Sequence, residues 1–157
     1  MIIKDFIDTD FIQYKEPCCF VIMPKCSFKC EKESGVKGIC QNSDITKMED
    51  IDVDDDSLIN RIIKNDISTC VVFGGLEPFD STDLCQFLKK LRNKSNILII
   101  IYTGYTEEEV LEKYNWIYNF SNIIIKFGRY IPNQKPHFDA VLGVELASLN
   151  QYAKKIS

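Results

Sequence analysis

Ile97-Leu98-Ile99-Ile100-Ile101-Tyr102-Thr103-Gly104-Tyr105-Thr106-Glu107-Glu108-Glu109-Val110-Leu111 contains both halves of a βα unit. Ile97 to Tyr102 is apolar and mostly β-branched, the composition of a strand buried on both faces. Thr106 to Glu109 is a capping box, with Thr106 as N-cap and Glu109 three residues on. Its carboxylates also suit the positive end of a helix. Val110, Leu111 and Tyr114 carry the apolar side of that helix.

The same rhythm recurs outward along the chain. Residues 18–23 (Cys-Cys-Phe-Val-Ile-Met), 69–73 and 122–127 read as further strands. Leu58, Ile59, Ile62 and Ile63 recur at helical spacing after Asp54-Asp55-Asp56, and Phe79, Leu84, Phe87, Leu88 and Leu91 make one face of another helix. Strands separated by helices imply parallel pairing through right-handed crossovers. The expected fold is α/β, a parallel sheet with crossover helices, in a single domain over residues 1–157. Its ligand site should lie at the carboxyl ends of the strands. The first 17 residues suggest a short hairpin over the sheet edge, and residues 128–157 give few periodic signals. The acidic run from Glu49 to Asp56 reads as a solvated loop feeding a helix N-terminus.

The chain of 157 residues is 45% apolar and 27% charged, with a net charge of −4. That balance is ordinary for a globular domain and leaves no electrostatic footprint for nucleic acid. No apolar run is long enough to span a membrane, and Met1-Ile2-Ile3-Lys4-Asp5 lacks the pattern of a signal peptide, so a cytoplasmic protein is expected. Seven cysteines is an odd number. A fully paired disulfide framework is excluded, and metal or redox use is favoured.

Cys26, Cys30 and Cys40 sit in the long polar loop after the strand at 18–23. Three thiolates can hold three corners of a four-iron cluster and leave one iron open, whereas a structural metal site closes its shell with four protein ligands. Cys70 and Cys85 read as packing residues. Of Cys18 and Cys19, at most one could face the loop, because neighbours on a strand point opposite ways. Gly74-Gly75-Leu76-Glu77-Pro78 follows the strand at 69–73, and Thr103-Gly104-Tyr105-Thr106 follows the strand at 97–102. All three motifs therefore emerge at one sheet edge.

With these motifs the chain resembles the activating proteins of anaerobic (class III) ribonucleotide reductase, small members of the radical S-adenosylmethionine superfamily. Cys26 and Cys30 have the first spacing of the superfamily's Cys-x3-Cys-x2-Cys loop, with Phe28 between them. Cys40-Gln41-Asn42 resembles the third cysteine and its following Asn. This loop departs by placing nine residues, Glu31 to Ile39, before Cys40. Gly35 and Gly38 could let that insertion turn back. Phe73 to Phe79 is similar to the family's Gly-Gly-Glu/Asp-Pro motif, with Leu76 as an extra residue. Tyr102 to Thr106, Lys126-Phe127-Gly128-Arg129-Tyr130, Asp139 and Ser148-Leu149-Asn150-Gln151 resemble further signatures of the activating proteins.

The resemblance implies a partial, open radical-SAM-type β/α barrel. It implies a [4Fe-4S] cluster on Cys26, Cys30 and Cys40, and S-adenosylmethionine held near Gly74, Gly75, Glu77, Asn42 and Thr103. Tyr105 reads equally as a site residue or as packing over the loop. The implied partners are a glycyl-radical enzyme, the anaerobic ribonucleotide reductase, and an electron donor such as flavodoxin or ferredoxin. Two other readings stay open. One is a divergent radical enzyme acting on another protein or a small molecule. The other is a non-enzymatic module with zinc on Cys26, Cys30, Cys40 and His137. With His137 as the sole histidine, a Ser-His-Asp arrangement is not expected. No phosphate-loop Lys follows Gly75, so nucleotide triphosphate hydrolysis is unsupported.

Overall fold

The structure, a computed structural model, describes residues 1–157. In chain order its elements are β1 (Ile2–Ile3), β2 (Asp5–Asp10), β3 (Cys18–Ile22), α1 (Lys29–Ser34), β4 (Ile51–Asp52), α2 (Asp55–Ile63), β5 (Cys70–Gly74), α3 (Leu84–Lys94), β6 (Leu98–Tyr102), α4 (Glu107–Lys113), β7 (Ile123–Phe127), β8 (His137–Asp139), β9 (Val144–Leu146) and β10 (Tyr152–Lys155). Short 3-10 helices lie at Ser43–Lys47, Pro78–Asp80 and Asn115–Asn119.

The four apolar runs become neighbours. β3, β5, β6 and β7 pair in parallel, with Cys18 opposite Cys70, Cys70 opposite Leu98, and Ile99 opposite Ile123. The whole sheet runs β10-β7-β6-β5-β3-β2, and the strands at both edges are antiparallel to their neighbours. This corrects the expectation of an all-parallel sheet in a partial radical-SAM-type barrel: the sheet is mixed and open. The reason lies in the edges. An edge strand is paired on one side only and is kept from sticking by charge. β10 reads Tyr-Ala-Lys-Lys with only Ala153 buried, and β2 carries Asp5, Asp8 and Asp10. Neither shows the apolar run that marks a central strand. β2 joins the main sheet instead of folding into a hairpin by itself, and β1 pairs with β4.

Strand alternation divides the core. Cys19, Val21, Val71, Phe73, Ile99, Ile101, Ile123 and Ile125 face α2, α3 and α4, where Ile59, Ile62, Phe87, Leu88, Leu91 and Val110 are fully buried. Cys18, Phe20, Cys70, Val72, Ile100 and Ile124 face the other way, onto Tyr14, Leu142 and Leu146. The helices α2, α3 and α4 thus cover one face alone. The segment before β3 and the β8–β9 hairpin close the second.

Local chemistry fixes the ends. Thr106 Oγ1 accepts from Glu109 N at 3.3 Å while Glu109 Oε2 accepts from Thr106 N at 3.0 Å, so the capping box is complete. The acidic run is mostly exposed and feeds the N-terminus of α2, as expected. Asp54 caps α2 by accepting from Ser57 N at 2.8 Å. Asp55 takes the Met1 ammonium at 2.9 Å and Lys90 at 2.7 Å.

Candidate functional site

A cavity of about 340 Å³ opens where β3, β5, β6 and β7 end, on the hairpin-covered face. Cys26, Cys30 and Cys40 all line it and are half-buried. They do not converge on a point: no three His, Cys, Asp or Glu side chains close round a single ion. A polynuclear cluster takes its thiolates at separate irons, and three thiols lining one cavity match that mode of ligation. The Phe28 amide donates to Cys26 Sγ at 3.3 Å, a bond that steadies a thiolate. The donor set fits a [4Fe-4S] cluster.

Burial pushes the Cys26 thiol up to about 12, against the opposing Phe28 amide. Burial, and then the neighbouring Cys40, push Cys30 up to about 11. Metal uptake must therefore displace protons from these two sulfurs.

The loop between the thiols is ordered by its own residues. Phe28 takes a left-handed conformation, φ 51°, and starts α1, which carries Cys30. Gly35 ends α1 at φ 71° and Gly38 adopts φ 72°. These are the turns that absorb the nine-residue separation.

The glycine turn divides into separate roles. Gly74 ends β5, accepts from Met23 N at 2.8 Å, and does not line the cavity. Gly75 lines it at φ 79°. A Cβ on Gly75 would lie 2.7 Å from Ile22 Cγ2, so the missing side chain is demanded by strand packing. Its carbonyl accepts from Asn42 Nδ2 at 2.7 Å.

Glu77 is buried and joins two turns. Its carboxylate accepts from Thr103 Oγ1 at 2.7 Å, Gly104 N at 2.8 Å and Phe79 N at 3.2 Å. Burial raises its pKa to about 7, although all three bonds favour the charged form. Thr103 therefore serves the wall through Glu77. Tyr105 packs its ring against Tyr114, with centroids 5.3 Å apart. It lines the cavity, and its hydroxyl donates to Asp80 Oδ1 at 2.6 Å.

Two cationic residues complete the wall and had no role assigned from sequence. Lys126 is buried, donates to Gly128 O at 2.9 Å, and is lowered to about 8 by burial, partly offset by Glu77. Its signal was a lone Lys inside the apolar run of β7, since Lys is rarely buried without a partner. Arg129 Nη2 donates to both Glu109 carboxylate oxygens, at 2.6 and 2.7 Å. Burial pushes Glu109 up, but the Arg129, Thr106 and Lys29 bonds outweigh it and hold the carboxyl near 2.

The remaining cysteines lie elsewhere. Cys18, Cys19 and Cys70 are fully buried, Cys18 and Cys19 on opposite faces of the sheet. Cys85 is half-buried on α3, more accessible than a packing residue. His137 belongs to β8 and does not line the cavity, so it completes no zinc site with the three thiols.

A family model described as a 4Fe-4S single cluster domain matches residues 17–148. No curated protein and no solved structure matches the chain. No helix is long and apolar enough to cross a membrane.

Proposed function

The chain belongs to the 4Fe-4S single cluster domain family, and on that premise we propose that it is a radical S-adenosylmethionine activase that makes a glycyl radical on an anaerobic ribonucleoside-triphosphate reductase. The supporting observation is that the three thiols, the Gly75–Glu77 turn and the Thr103–Tyr105 turn share one cavity of about 340 Å³. Small-molecule pockets begin at roughly 300 Å³; the cavity is at that lower end and would hold the cluster as well, so a ligand would extend into its open side. When bound and reduced, the cluster supplies the electron that cleaves S-adenosylmethionine to methionine and a 5′-deoxyadenosyl radical, which takes a hydrogen atom from the partner's glycine.

This chain's residues hold, orient and shield. Cys26, Cys30 and Cys40 provide three thiolates. Lys126 Nζ uses one of its three donors on Gly128 O and keeps two for a ligand carboxylate. Glu77 fixes the spacing of the β5 and β6 turns, and Asn42 ties the cysteine loop to Gly75. The cavity is open on one side, which a partner would cover. An electron donor such as flavodoxin or ferredoxin completes the system.

Anaerobic reconstitution with iron and sulfide, then reduction with S-adenosylmethionine present, tests the reading. Methionine and 5′-deoxyadenosine should form. Adding the reductase from the same source should give a glycine-centred doublet in the paramagnetic resonance spectrum. The nine-residue separation before Cys40 favours a second reading, a divergent radical enzyme with another protein or small molecule as substrate. Cofactor cleavage without any glycyl radical would select it. A cluster that never cleaves the cofactor would refute both.

A further inference from the structure

Each of the three thiols has a neighbour in sequence that is fastened to a different part of the scaffold. Ser27 follows Cys26, and its amide donates to Asp80 Oδ2 at 2.6 Å, just beyond β5. Lys29 precedes Cys30, and its ammonium reaches Glu109 Oε1 on α4 at 3.2 Å. That carboxylate is gripped by Arg129, whose Nε also lies 3.2 Å from Glu33 Oε1 on α1, an ionic contact not aligned as a hydrogen bond. Asn42 follows Cys40 by two residues, and its amide donates to Gly75 O at 2.7 Å. The insertion from Glu31 to Ile39 makes no such attachment apart from Glu33.

We propose that Asp80, the Glu109–Arg129 pair and Asn42 are positioning residues that pin Cys26, Cys30 and Cys40 separately. Cluster geometry in this chain is then set by three scaffold contacts and not by the length of loop between the cysteines. The proposal rests on the three-thiol site of the proposed function. It is independent of S-adenosylmethionine chemistry, of the partner, and of whether the cluster has been loaded.

Site-resolved alkylation of the metal-free full chain tests it. Iodoacetamide modification of each cysteine is followed by peptide mass spectrometry in the wild type and in Asp80→Ala, Glu109→Ala and Asn42→Ala. Asp80→Asn and Glu109→Gln, which keep an acceptor oxygen and lose only the charge, are the controls for thiolate fraction. Each Ala variant should accelerate its own thiol about fivefold or more relative to its charge control (the wild type for Asn42→Ala), the opening factor that loss of one such bond gives, and move the other two less. Asp80 also accepts from Tyr105, over whose ring Lys29 lies, so the smallest contrast is between Cys26 and Cys30 in its variant. For Cys30, Arg129→Gln separates mechanics from charge. Removing a cation lowers the thiolate fraction and slows alkylation, whereas a freed helix speeds it. The fully buried Cys18 and Cys70 report opening of the whole fold.

A second measurement needs no variant. In the wild type, raising salt from about 0.1 to 1 M screens ionic contacts and should accelerate Cys30 while sparing Cys40, whose pin is neutral. Equal acceleration of all three thiols in each variant, with Cys70 silent, would overturn the proposal by showing that the loop moves as one body. So would unchanged rates, or a salt response shared by Cys30 and Cys40. Failure of the radical reading would appear instead as a loaded cluster that leaves the cofactor intact, with the alkylation pattern unaffected.

Discussion

Gly75→Ala should be among the most damaging single-methyl additions in this chain. Gly75 sits at φ 79°, where a residue with a Cβ loses roughly 1–2 kcal/mol. The new methyl would also stand 2.7 Å from Ile22 Cγ2 and 3.3 Å from Ile45 Cδ1. Ile22 ends a central strand and is only 9% exposed, so it has little room to swing aside. Overpacking of this kind costs about 1–3 kcal/mol. The two effects together give about 2–5 kcal/mol, a large part of the roughly 5–15 kcal/mol that holds a domain together. Gly35→Ala is the matched control: it has φ 71° but nothing within 4 Å of the added atom, so it isolates the backbone cost. Urea unfolding of the two variants and the wild type, read by circular dichroism, supplies the comparison. A Gly75→Ala chain no less stable than Gly35→Ala would refute the assignment of this glycine to packing against Ile22.

Other expectations follow from the same geometry. Cys26→Ala, Cys30→Ala and Cys40→Ala should each abolish the brown chromophore and most iron content after reconstitution, while Cys70→Ala and Cys85→Ala keep it; full iron in Cys40→Ala would remove that residue from the ligand set. Cluster assembly should accelerate as pH rises from about 7 to 9, because the Cys26 and Cys30 protons must leave; a rate flat across that range would count against proton displacement. Glu77 has a folded pKa raised to about 7 from a usual value near 4.5. The native state then holds the proton more tightly, so stability falls as pH climbs from about 4.5 to 7, by up to about 3 kcal/mol. Glu109 is shifted the opposite way and gains its contribution below that window, as pH rises from about 2 to 4.5. A Glu77 carboxyl carbon titrating near 4.5 by NMR would contradict this.

The legible parts of the molecule were those that rely on neighbours in sequence. The β6 run and the Thr106 capping box were readable because β-branched composition and an i, i+3 pairing are local. The same holds for placing Cys26, Cys30, Cys40, Gly75, Glu77 and Thr103 at one sheet edge, which needs only that each follows a parallel strand. The edges were not readable. Lys154 and Lys155 look like a polar tail until Ile125 and Ile124 are seen beside them in the ladder. The helix-free face was hidden for a related reason, since Tyr14, Leu142 and Leu146 come from segments with no period of their own. Arg129 was noticed only within a motif. Its partner Glu109 is also the capping residue of α4, and sequence assigns it that one task.

The unequal covering of the sheet also orders events in time. The strands of the helix-covered core, β3 to β7, all precede β8 to β10 in the chain and so leave the ribosome first. The opposite side depends on the β8–β9 hairpin and β10, which follow β7 in the chain. The nascent chain can therefore bury its larger core while the thiol-lined chamber still lacks a wall. Leu146, which lines the chamber beside Phe20, is part of that later wall, so the chamber is completed only when the second face closes.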